Sequence, residues 1–257
     1  MKIELQPNKK IYFASDQHFG APTPELSKPR EAKFLVWLDE IKHDAQILFL
    51  MGDLFDFWHE WKYVVPKGYV RILGKLAELK DSGIDIYFFV GNHDLWMKDY
   101  LEEEIGIPVF FEKQYYEISG KNFLLAHGDG LGPGDKGYKR MKKLFTNPIA
   151  QWFFKWLHPD IAMKIAVYFS TKNKMISGVE DMKFLGEDKE FLILYSKEKL
   201  KSEKIDYFVY GHRHLPMILD LKIDVNEAKY VNLGDWISYF TYGVFDGAEF
   251  KIEEYKQ

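Results

Sequence analysis

Five short apolar runs in this chain each end abruptly in a cluster of polar residues, and this recurrence constrains the fold more than any other feature. Each run has the length and character of a buried β-strand. The polar residues therefore stand at the carboxyl ends of the predicted strands, where open sheets bind their ligands. The runs span residues 11–15, 47–51, 84–90, 123–126 and 207–210.

Amphipathic stretches of helical period, residues 29–43 and 66–81, separate the first three runs. Alternation of strand and helix is typical of parallel strands joined by crossover helices, so we predict an α/β fold. Four stretches after His214 alternate between apolar and polar residues and favour a second, largely antiparallel sheet. They span residues 216–221, 229–233, 239–245 and 249–255.

The composition favours one folded domain over residues 1–257, with 47% hydrophobic and 29% charged residues. The absence of cysteine excludes disulfides and thiolate metal ligands. No run approaches the ~20 apolar residues of a membrane span and no secretory signal is visible, so we expect a cytoplasmic protein, soluble or attached to a membrane surface. The net charge of -4 argues against general nucleic-acid binding.

Residues 132–186 fit neither pattern, and we predict that they form a helical cap inserted within the domain. Pro148 and Pro159 should divide this segment into short helices. Between Gly134 and Met175, nine Lys or Arg stand against two acidic residues, an excess that would attract a diphosphate or anionic lipid heads. Its many aromatic residues favour an apolar groove or a membrane-facing surface. The alternative is an ordinary helical pair whose aromatic stripe packs on the core.

The polar clusters offer oxygen and imidazole as metal ligands. Such a mixed set favours Mn, Fe, Zn or Co over Ca. Residues two apart on an extended segment point to the same side, so two of the clusters can each aim two groups at one place. Each cluster alone could be a tight turn, a helix cap or a partly buried histidine, but their joint occurrence at strand ends favours a metal site. The candidate ligands are Asp16, His18, Asp53, Asn92, His127, His212 and His214.

These candidates occur in five ordered motifs: DxH at 16–18, GDxxD at 52–56, GNHD at 91–94, HGD at 127–129 and GHxH at 211–214. In this order they resemble the motifs of the calcineurin-like metallophosphoesterase superfamily, and the resemblance covers most of the chain. It implies a four-layer αββα sandwich of two mixed β-sheets flanked by helices, with a helical cap insertion. It also implies that Asp53 is shared between two divalent ions, one held with Asp16, His18 and His214, the other with Asn92, His127 and His212.

The same resemblance implies a mechanism. A hydroxide between the two ions would attack phosphorus while the ions neutralise charge in the transition state. His93 would face the substrate and protonate the leaving oxygen or stabilise its charge, with Asp56 as its orienting carboxylate.

Four longer segments are more specific: GDLFDFW at 52–58, HGDGLGPGDKGY at 127–138, GHRHLP at 211–216 and VNLGDW at 231–236. They are similar to segments of the UDP-2,3-diacylglucosamine pyrophosphatases of lipid A synthesis, which use Mn and produce UMP and lipid X (2,3-diacylglucosamine 1-phosphate). The resemblance implies that substrate, Mn²⁺ as cofactor, and a peripheral place on the cytoplasmic face of the inner membrane of a Gram-negative-type bacterium. The substrate contacts that it implies are Asn92, His93, Asp135, Ser170, Asn173, Lys174 and His212.

Two positions depart from the best-known pyrophosphatases of that group, which carry Arg in place of His93 and Glu in place of Asp56. The role of His93 therefore stays open. Two other functions also stay open: a phosphodiesterase or phosphatase acting on a soluble nucleotide or phosphoprotein, and a non-catalytic binding scaffold. The first predicts a shallow, polar cap. The second usually lacks metal ligands, and none of the seven is missing.

Overall fold

The computed structural model describes residues 1–134, 136–177 and 183–256, apart from the side chains of Lys136 and of residues 170–177. Within these ranges, two six-stranded mixed β-sheets pack face to face and are flanked by helices. This arrangement confirms the αββα sandwich predicted from the sequence.

The first sheet contains the three N-terminal runs. Its central strands are parallel, and the two C-terminal strands of the chain extend one edge in antiparallel register. In spatial order the strands are β12 (Phe250–Glu254), β11 (Thr241–Phe245), β2 (Lys10–Ala14), β3 (Ala45–Leu50), β4 (Asp85–Phe89) and β5 (Val109–Phe110). The helices that join these parallel strands are α1 (Pro24–Ile41), α2 (Val70–Asp81) and α3 (Tyr100–Ile105).

The second sheet contains the other two runs, and α7 (Phe191–Leu200) packs on its outer face. In spatial order its strands are β1 (Lys2–Ile3), β6 (Gln114–Ile118), β7 (Lys121–Leu125), β8 (Tyr207–Tyr210), β10 (Asn226–Asn232) and β9 (Met217–Ile223). β7, β8 and β10 are parallel to one another, and β9 runs antiparallel to β10. β6 runs antiparallel to β7 but parallel to β1.

The prediction that the strands after His214 form a separate, largely antiparallel sheet was wrong. β9 and β10 join the second sheet, where β10 runs parallel to β8, and β11 and β12 join the first sheet at β2. Alternating polarity reports that a strand has one covered face, but it does not report which sheet edge the strand pairs with.

Three apolar layers hold the sandwich together. Between the sheets, Phe13 stacks on Phe49 with ring centroids 5.1 Å apart, and Phe123 lies against the same ring of Phe13. Outside the first sheet, Trp37 of α1 and Leu76 of α2 are buried against the strands. Because helices or the other sheet cover both faces, the central strands are apolar at successive positions, which explains their continuous apolar runs.

The helix boundaries differ from the predicted ones at their starts. α1 begins at Pro24 and not at residue 29, because Thr23 caps it: the Thr23 side chain accepts a hydrogen bond from the Leu26 backbone N–H at 3.3 Å. Pro24 occupies the first turn, where proline is favoured. α2 begins at Val70, four residues after the predicted start.

The described residues of the segment predicted to form a cap include three helices: α4 (Lys136–Phe145), α5 (Pro148–Lys155) and α6 (Pro159–Ser177). The two prolines begin the second and third of these helices and so divide the segment, as predicted. The third helix, with 19 residues, is longer than the short helices expected. None of the helices described here is both long enough and apolar enough to cross a membrane.

Candidate metal centre

The candidate ligands lie at carboxyl ends of strands from both sheets. Asp16, Asp53 and Asn92 follow β2, β3 and β4 of the first sheet, whereas His127 and His212 follow β7 and β8 of the second. Parallel strands place these ends at a common rim. Hydrogen bonds join the two halves of the rim: the backbone N–H of His212 donates to Oδ2 of Asp16 at 2.9 Å.

The backbone is strained at most of these residues. Their φ values lie in the left-handed region, which L-residues with a side chain seldom adopt. The sequence analysis assumed that the segments carrying the paired ligands are extended, and this was wrong. The side chains of each pair converge because their backbone makes left-handed turns. The residues and their φ angles are Asp16 (59°), His18 (46°), Asp53 (53°), His212 (69°) and His214 (50°).

One group of four side chains converges at the β2 and β8 ends. Nε2 of His18 lies 3.7 Å from Oδ1 of Asp16 and 3.5 Å from Oδ2 of Asp53. Nε2 of His214 lies 3.2 Å from the same Asp16 oxygen and 3.2 Å from Nε2 of His18. Four donor atoms therefore surround one small space.

A second group converges around Asn92. Its Oδ1 lies 2.8 Å from Nδ1 of His212 and 3.2 Å from Nε2 of His127. The same Nε2 of His127 lies 3.5 Å from Oδ2 of Asp53, the oxygen that also faces His18. Asp53 therefore contacts both groups, which is the arrangement expected of a ligand shared by two ions.

The chemistry of this set fits divalent cations. The ligands are carboxylate, amide and imidazole, and donor atoms of Asp16, His18 and His214, like those of Asp16, Asp53 and His127, lie within 4.8 Å of one another. Within the described part of the chain, the buried Oδ1 of Asp16 makes no hydrogen bond of good geometry, although Nε2 of His214 lies 3.2 Å away. A buried carboxylate oxygen without such a bond is costly unless a cation approaches it.

Two glycines of the motifs make room for these ligands. A Cβ at Gly91 would lie 2.6 Å from the backbone nitrogen of Asp53, and a Cβ at Gly211 would lie 2.6 Å from Oδ2 of Asp16. Neither glycine has a positive φ, so the close approach itself requires glycine there.

The electrostatics show how the centre is balanced without metal. Burial alone would lower the pKa of His127 and of His214, but Asp53 raises the former to about 10 and Asp16, helped by Asp235, raises the latter to about 10. Burial and the neighbouring His127 lower the pKa of His212 to about 4. Protonated imidazoles therefore neutralise the carboxylates when no metal is bound.

Three polar residues that sequence reasoning left without a role position the ligands. Asp235 lies 3.2 Å from Nδ1 of His214, which directs the opposite nitrogen, Nε2, toward Asp16. Ser15 donates to Oδ2 of Asp16 at 2.5 Å. Asp94 is buried and accepts hydrogen bonds from the backbone N–H groups of Gly91 (2.6 Å) and Leu54 (3.1 Å). Two of these residues stand inside the motifs GNHD and VNLGDW, which was the available signal.

His93 and Asp56 lie beside the first group of ligands. Nδ1 of His93 is 3.0 Å from the Asp56 carbonyl oxygen and 3.5 Å from its carboxylate, which is also 3.5 Å from Nδ1 of His18. The backbone N–H of His93 donates to Oδ1 of Asp53 at 2.7 Å. The His93 ring therefore borders the centre, next to a carboxylate that can orient it.

A cavity of about 320 Å³ begins at Asn92, His93 and Asp56 and extends beneath the helices of residues 136–177. We call it the apolar cavity, because the rest of its lining is almost entirely apolar: Phe57, Trp58, Leu95, Trp96, Met141, Phe145, Phe154, Ile165, Ala166 and Phe169.

The remaining predicted substrate contacts are not placed by the structure. Asp135 lies outside the described residues, and so do the side chains of Ser170, Asn173 and Lys174, whose backbone belongs to α6.

The fold and these ligand clusters are those of a metal-dependent phosphoesterase, and the chain belongs to the calcineurin-like phosphoesterase family, whose model matches residues 9–216. Within this family, the chain is similar in sequence to hydrolases of one named kind. A UDP-2,3-diacylglucosamine hydrolase of Porphyromonas gingivalis is 40% identical over 95% of this chain and 97% of the relative. Hydrolases of the same name from Edwardsiella ictaluri and Yersinia pestis are 27% and 26% identical over 87% of this chain, and 83% and 90% of the relatives are covered.

Proposed function

We propose that this protein hydrolyses the diphosphate bond of UDP-2,3-diacylglucosamine to UMP and 2,3-diacylglucosamine 1-phosphate, with two Mn²⁺ ions as cofactors. One observation carries the choice of a lipid substrate: the apolar cavity opens directly onto Asn92 and His93. A soluble nucleotide or phosphoprotein would need no apolar chamber beside the metal centre, whereas acyl chains require one. The names of the three relatives support the same substrate.

The candidate ligands would hold the two ions in two sets that share Asp53. One set consists of Asp16, His18, Asp53 and His214, and the other of Asp53, Asn92, His127 and His212. Two divalent ions held there would activate water for attack on phosphorus and neutralise charge on the transferred group. Oxygen and imidazole suit Mn, and the resemblance to Mn-dependent enzymes supports that ion over Fe, Zn or Co.

The chain's own residues would position the diphosphate and receive the leaving group. Attack of water on one phosphorus forms a P–O bond and breaks the bond to the oxygen between the two phosphates. Asn92, His93 and His212 border the place where that phosphate binds. His93, beside Asp56, would donate a proton to the departing oxygen or stabilise its charge.

The helices of residues 136–177 would form a lid that holds the acyl chains and contacts a membrane. Their outer surface exposes large apolar side chains, including Trp152 (55%), Phe153 (64%) and Trp156 (74%). Lysines stand on the same segment, and such a mixed surface suits an anionic lipid interface. The substrate is itself a lipid, so we assign the protein a peripheral place on the cytoplasmic face of the inner membrane.

Hydrolysis of three substrates by the Mn-loaded protein tests the proposal. UDP-2,3-diacylglucosamine should be hydrolysed at a kcat/KM at least about a hundredfold above that of the de-acylated sugar nucleotide and of a model aryl phosphodiester. Equal kcat/KM on all three would contradict the lipid substrate and favour a general phosphodiesterase. Loss of hydrolysis after chelation, with recovery on adding Mn²⁺, tests the cofactor separately.

A further inference from the structure

A second cavity lies on the other side of α4 from the apolar cavity, and its chemistry is opposite. It has a volume of about 480 Å³, and His127 is one of its lining residues. We call it the basic cavity after its four lysines, Lys113, Lys139, Lys142 and Lys143. Its wall also includes Phe111, whose side chain is 53% exposed, and Glu112.

Helix α4 lies between the two cavities and presents different residues to each. Met141 and Phe145, one turn apart, line the apolar cavity, whereas Lys139 and Lys143, also one turn apart, line the basic cavity. Residues four apart share a helix face, so each face of α4 serves a different chamber.

The same helix is fixed directly above the metal centre. Tyr138 and Lys142 both donate to Oδ2 of Asp129 at 2.5 Å, and Asp129 follows His127 by two residues. The Tyr138 ring lies 6.2 Å from the ring of His212. The two cavities therefore meet at the candidate ligands beneath α4, one at Asn92 and the other at His127.

A diphosphate with two unlike substituents fits this division. Once its acyl chains occupy the apolar cavity, the nucleotide must leave the reacting phosphorus in another direction. Among the described lining residues, the four lysines of the basic cavity exceed its two acids, Glu112 and Asp129, by two charges. The product UMP is a phosphate monoester with about −1.5 to −2 charges at neutral pH, which matches that excess.

We propose that the basic cavity is the subsite for the nucleoside phosphate half of the substrate. Lys143 and Lys113 bind its phosphate electrostatically, and the exposed ring of Phe111 stacks on the base. Glu112 accepts hydrogen bonds from ribose hydroxyls. This inference rests on the proposed function, since a nucleotide-linked lipid requires one subsite of each kind.

Inhibition by the two products tests it in the Mn-loaded, full-length protein. Lys143→Ala should weaken inhibition by UMP about five- to tenfold and leave inhibition by 2,3-diacylglucosamine 1-phosphate unchanged. Met141→Ser, on the other face of α4, should weaken inhibition by 2,3-diacylglucosamine 1-phosphate and leave inhibition by UMP unchanged. Arg140→Ala removes a cation of the same helix that lines neither cavity, and it should change neither constant. Each variant controls for the folding of the others.

Phe111→Ala separates base stacking from charge. It should weaken inhibition by UMP and leave inhibition by inorganic phosphate unchanged, because only UMP carries a base. The inference is overturned if Lys143→Ala and Phe111→Ala leave the UMP constant at its original value, or if Lys143→Ala changes both product constants equally.

Direct binding of UMP distinguishes failure of this inference from failure of the proposed function. If the protein does not hydrolyse UDP-2,3-diacylglucosamine, the proposed function fails, but calorimetric binding of UMP to the same variants still tests the basic cavity. If hydrolysis proceeds and UMP binding is indifferent to Lys143 and Phe111, the subsite alone is wrong.

Discussion

At the residue scale, protonation of two candidate ligands, His127 and His214, competes with the binding of metal ions. Ligand nitrogens must be unprotonated to bind a cation, yet His127 and His214 each have a pKa of about 10 in the metal-free protein. Both carboxylate partners, Asp53 and Asp16, keep those protons in place. Binding of metal and loss of protons are therefore coupled.

We predict that Mn²⁺ binding at pH 8 releases up to two protons from these imidazoles. Their folded pKa values exceed the ordinary 6.5, so the stability that they add to the metal-free protein is complete below pH 6.5 and is lost as the pH rises through about 10. The number of protons released on Mn²⁺ binding should therefore decrease as the pH rises through about 10. Calorimetry in buffers of different ionisation enthalpy measures it, and an observed enthalpy that is independent of the buffer would contradict the prediction.

His93 should matter more for a strongly basic leaving group than for a phosphate. The second pKa of a phosphate monoester is about 6, whereas an unactivated phenol ionises near ~10, as tyrosine does. We predict that His93→Ala lowers kcat on a phenyl phosphodiester by about 10² or more and lowers kcat on UDP-2,3-diacylglucosamine considerably less. A larger loss on the UDP-lipid would instead indicate that His93 acts as a cation toward the diphosphate.

The sequence predicted the candidate ligands better than the residues that position them. Asp53 and His214 belong to motifs in which residue type and strand ends coincide. Asp235 acts on His214 across 21 positions of sequence, and only the folded chain brings the two together. The left-handed backbone of the ligands was not foreseen either, because most Asp and His residues have negative φ angles and the residue type alone does not indicate the exception.

At the scale of elements, aromatic packing attaches the α4–α6 segment to the sandwich. Trp96 donates from Nε1 to the Phe145 carbonyl oxygen at 2.7 Å, and its ring lies 4.4 Å from that of Phe154. Phe154 also contacts the buried ring of His59, with centroids 5.2 Å apart. Both Trp96 and Phe154 line the apolar cavity, so the attachment and the chamber share residues.

Truncating the Phe154 side chain, which lines the apolar cavity, should weaken the preference for acylated substrate. We predict that Phe154→Ala lowers the ratio of kcat/KM for UDP-2,3-diacylglucosamine to that for the de-acylated nucleotide by about tenfold, because roughly 1.4 kcal/mol of apolar contact is lost. Trp152→Ala is the matched control, because Trp152 lies on α5 two residues before Phe154 but does not line the apolar cavity. An unchanged ratio in Phe154→Ala would mean that the chains bind elsewhere.

The strength of the apolar periodicity distinguishes α2, which was predicted, from α7, which was not. α2 has a clear apolar face and was foreseen to within four residues of its start. α7 is apolar on several sides, with Leu192, Ile193 and Leu200 buried, so no single face identified it. β11 and β12 were foreseen as strands, but the sheet that they join is set by the pairing of β11 with β2, whose residues are more than 200 positions apart in sequence.

At the scale of the whole molecule, α5 and α6 expose several large apolar side chains on a protein of net charge -4. Exposed apolar patches with nearby lysines are typical of membrane-binding surfaces. The metal centre lies beneath the same helices, through the apolar cavity. The same helices therefore carry both the exposed apolar side chains and part of the lining of the apolar cavity.

We predict that the protein binds vesicles containing anionic phospholipid and that Phe153→Ser with Trp156→Ser weakens this binding about a hundredfold, since each aromatic side chain contributes roughly 1.5 kcal/mol at an interface. Raising the salt concentration should weaken binding of the original protein, because lysines act through screened charge. Val225→Ser is the matched control: Val225 is 91% exposed but lies in the turn between β9 and β10. Co-sedimentation with vesicles measures all of these effects. Equal binding by the double variant and the control would place the membrane contact on another face, and lack of binding at low salt by the original protein would rule out peripheral attachment through this surface.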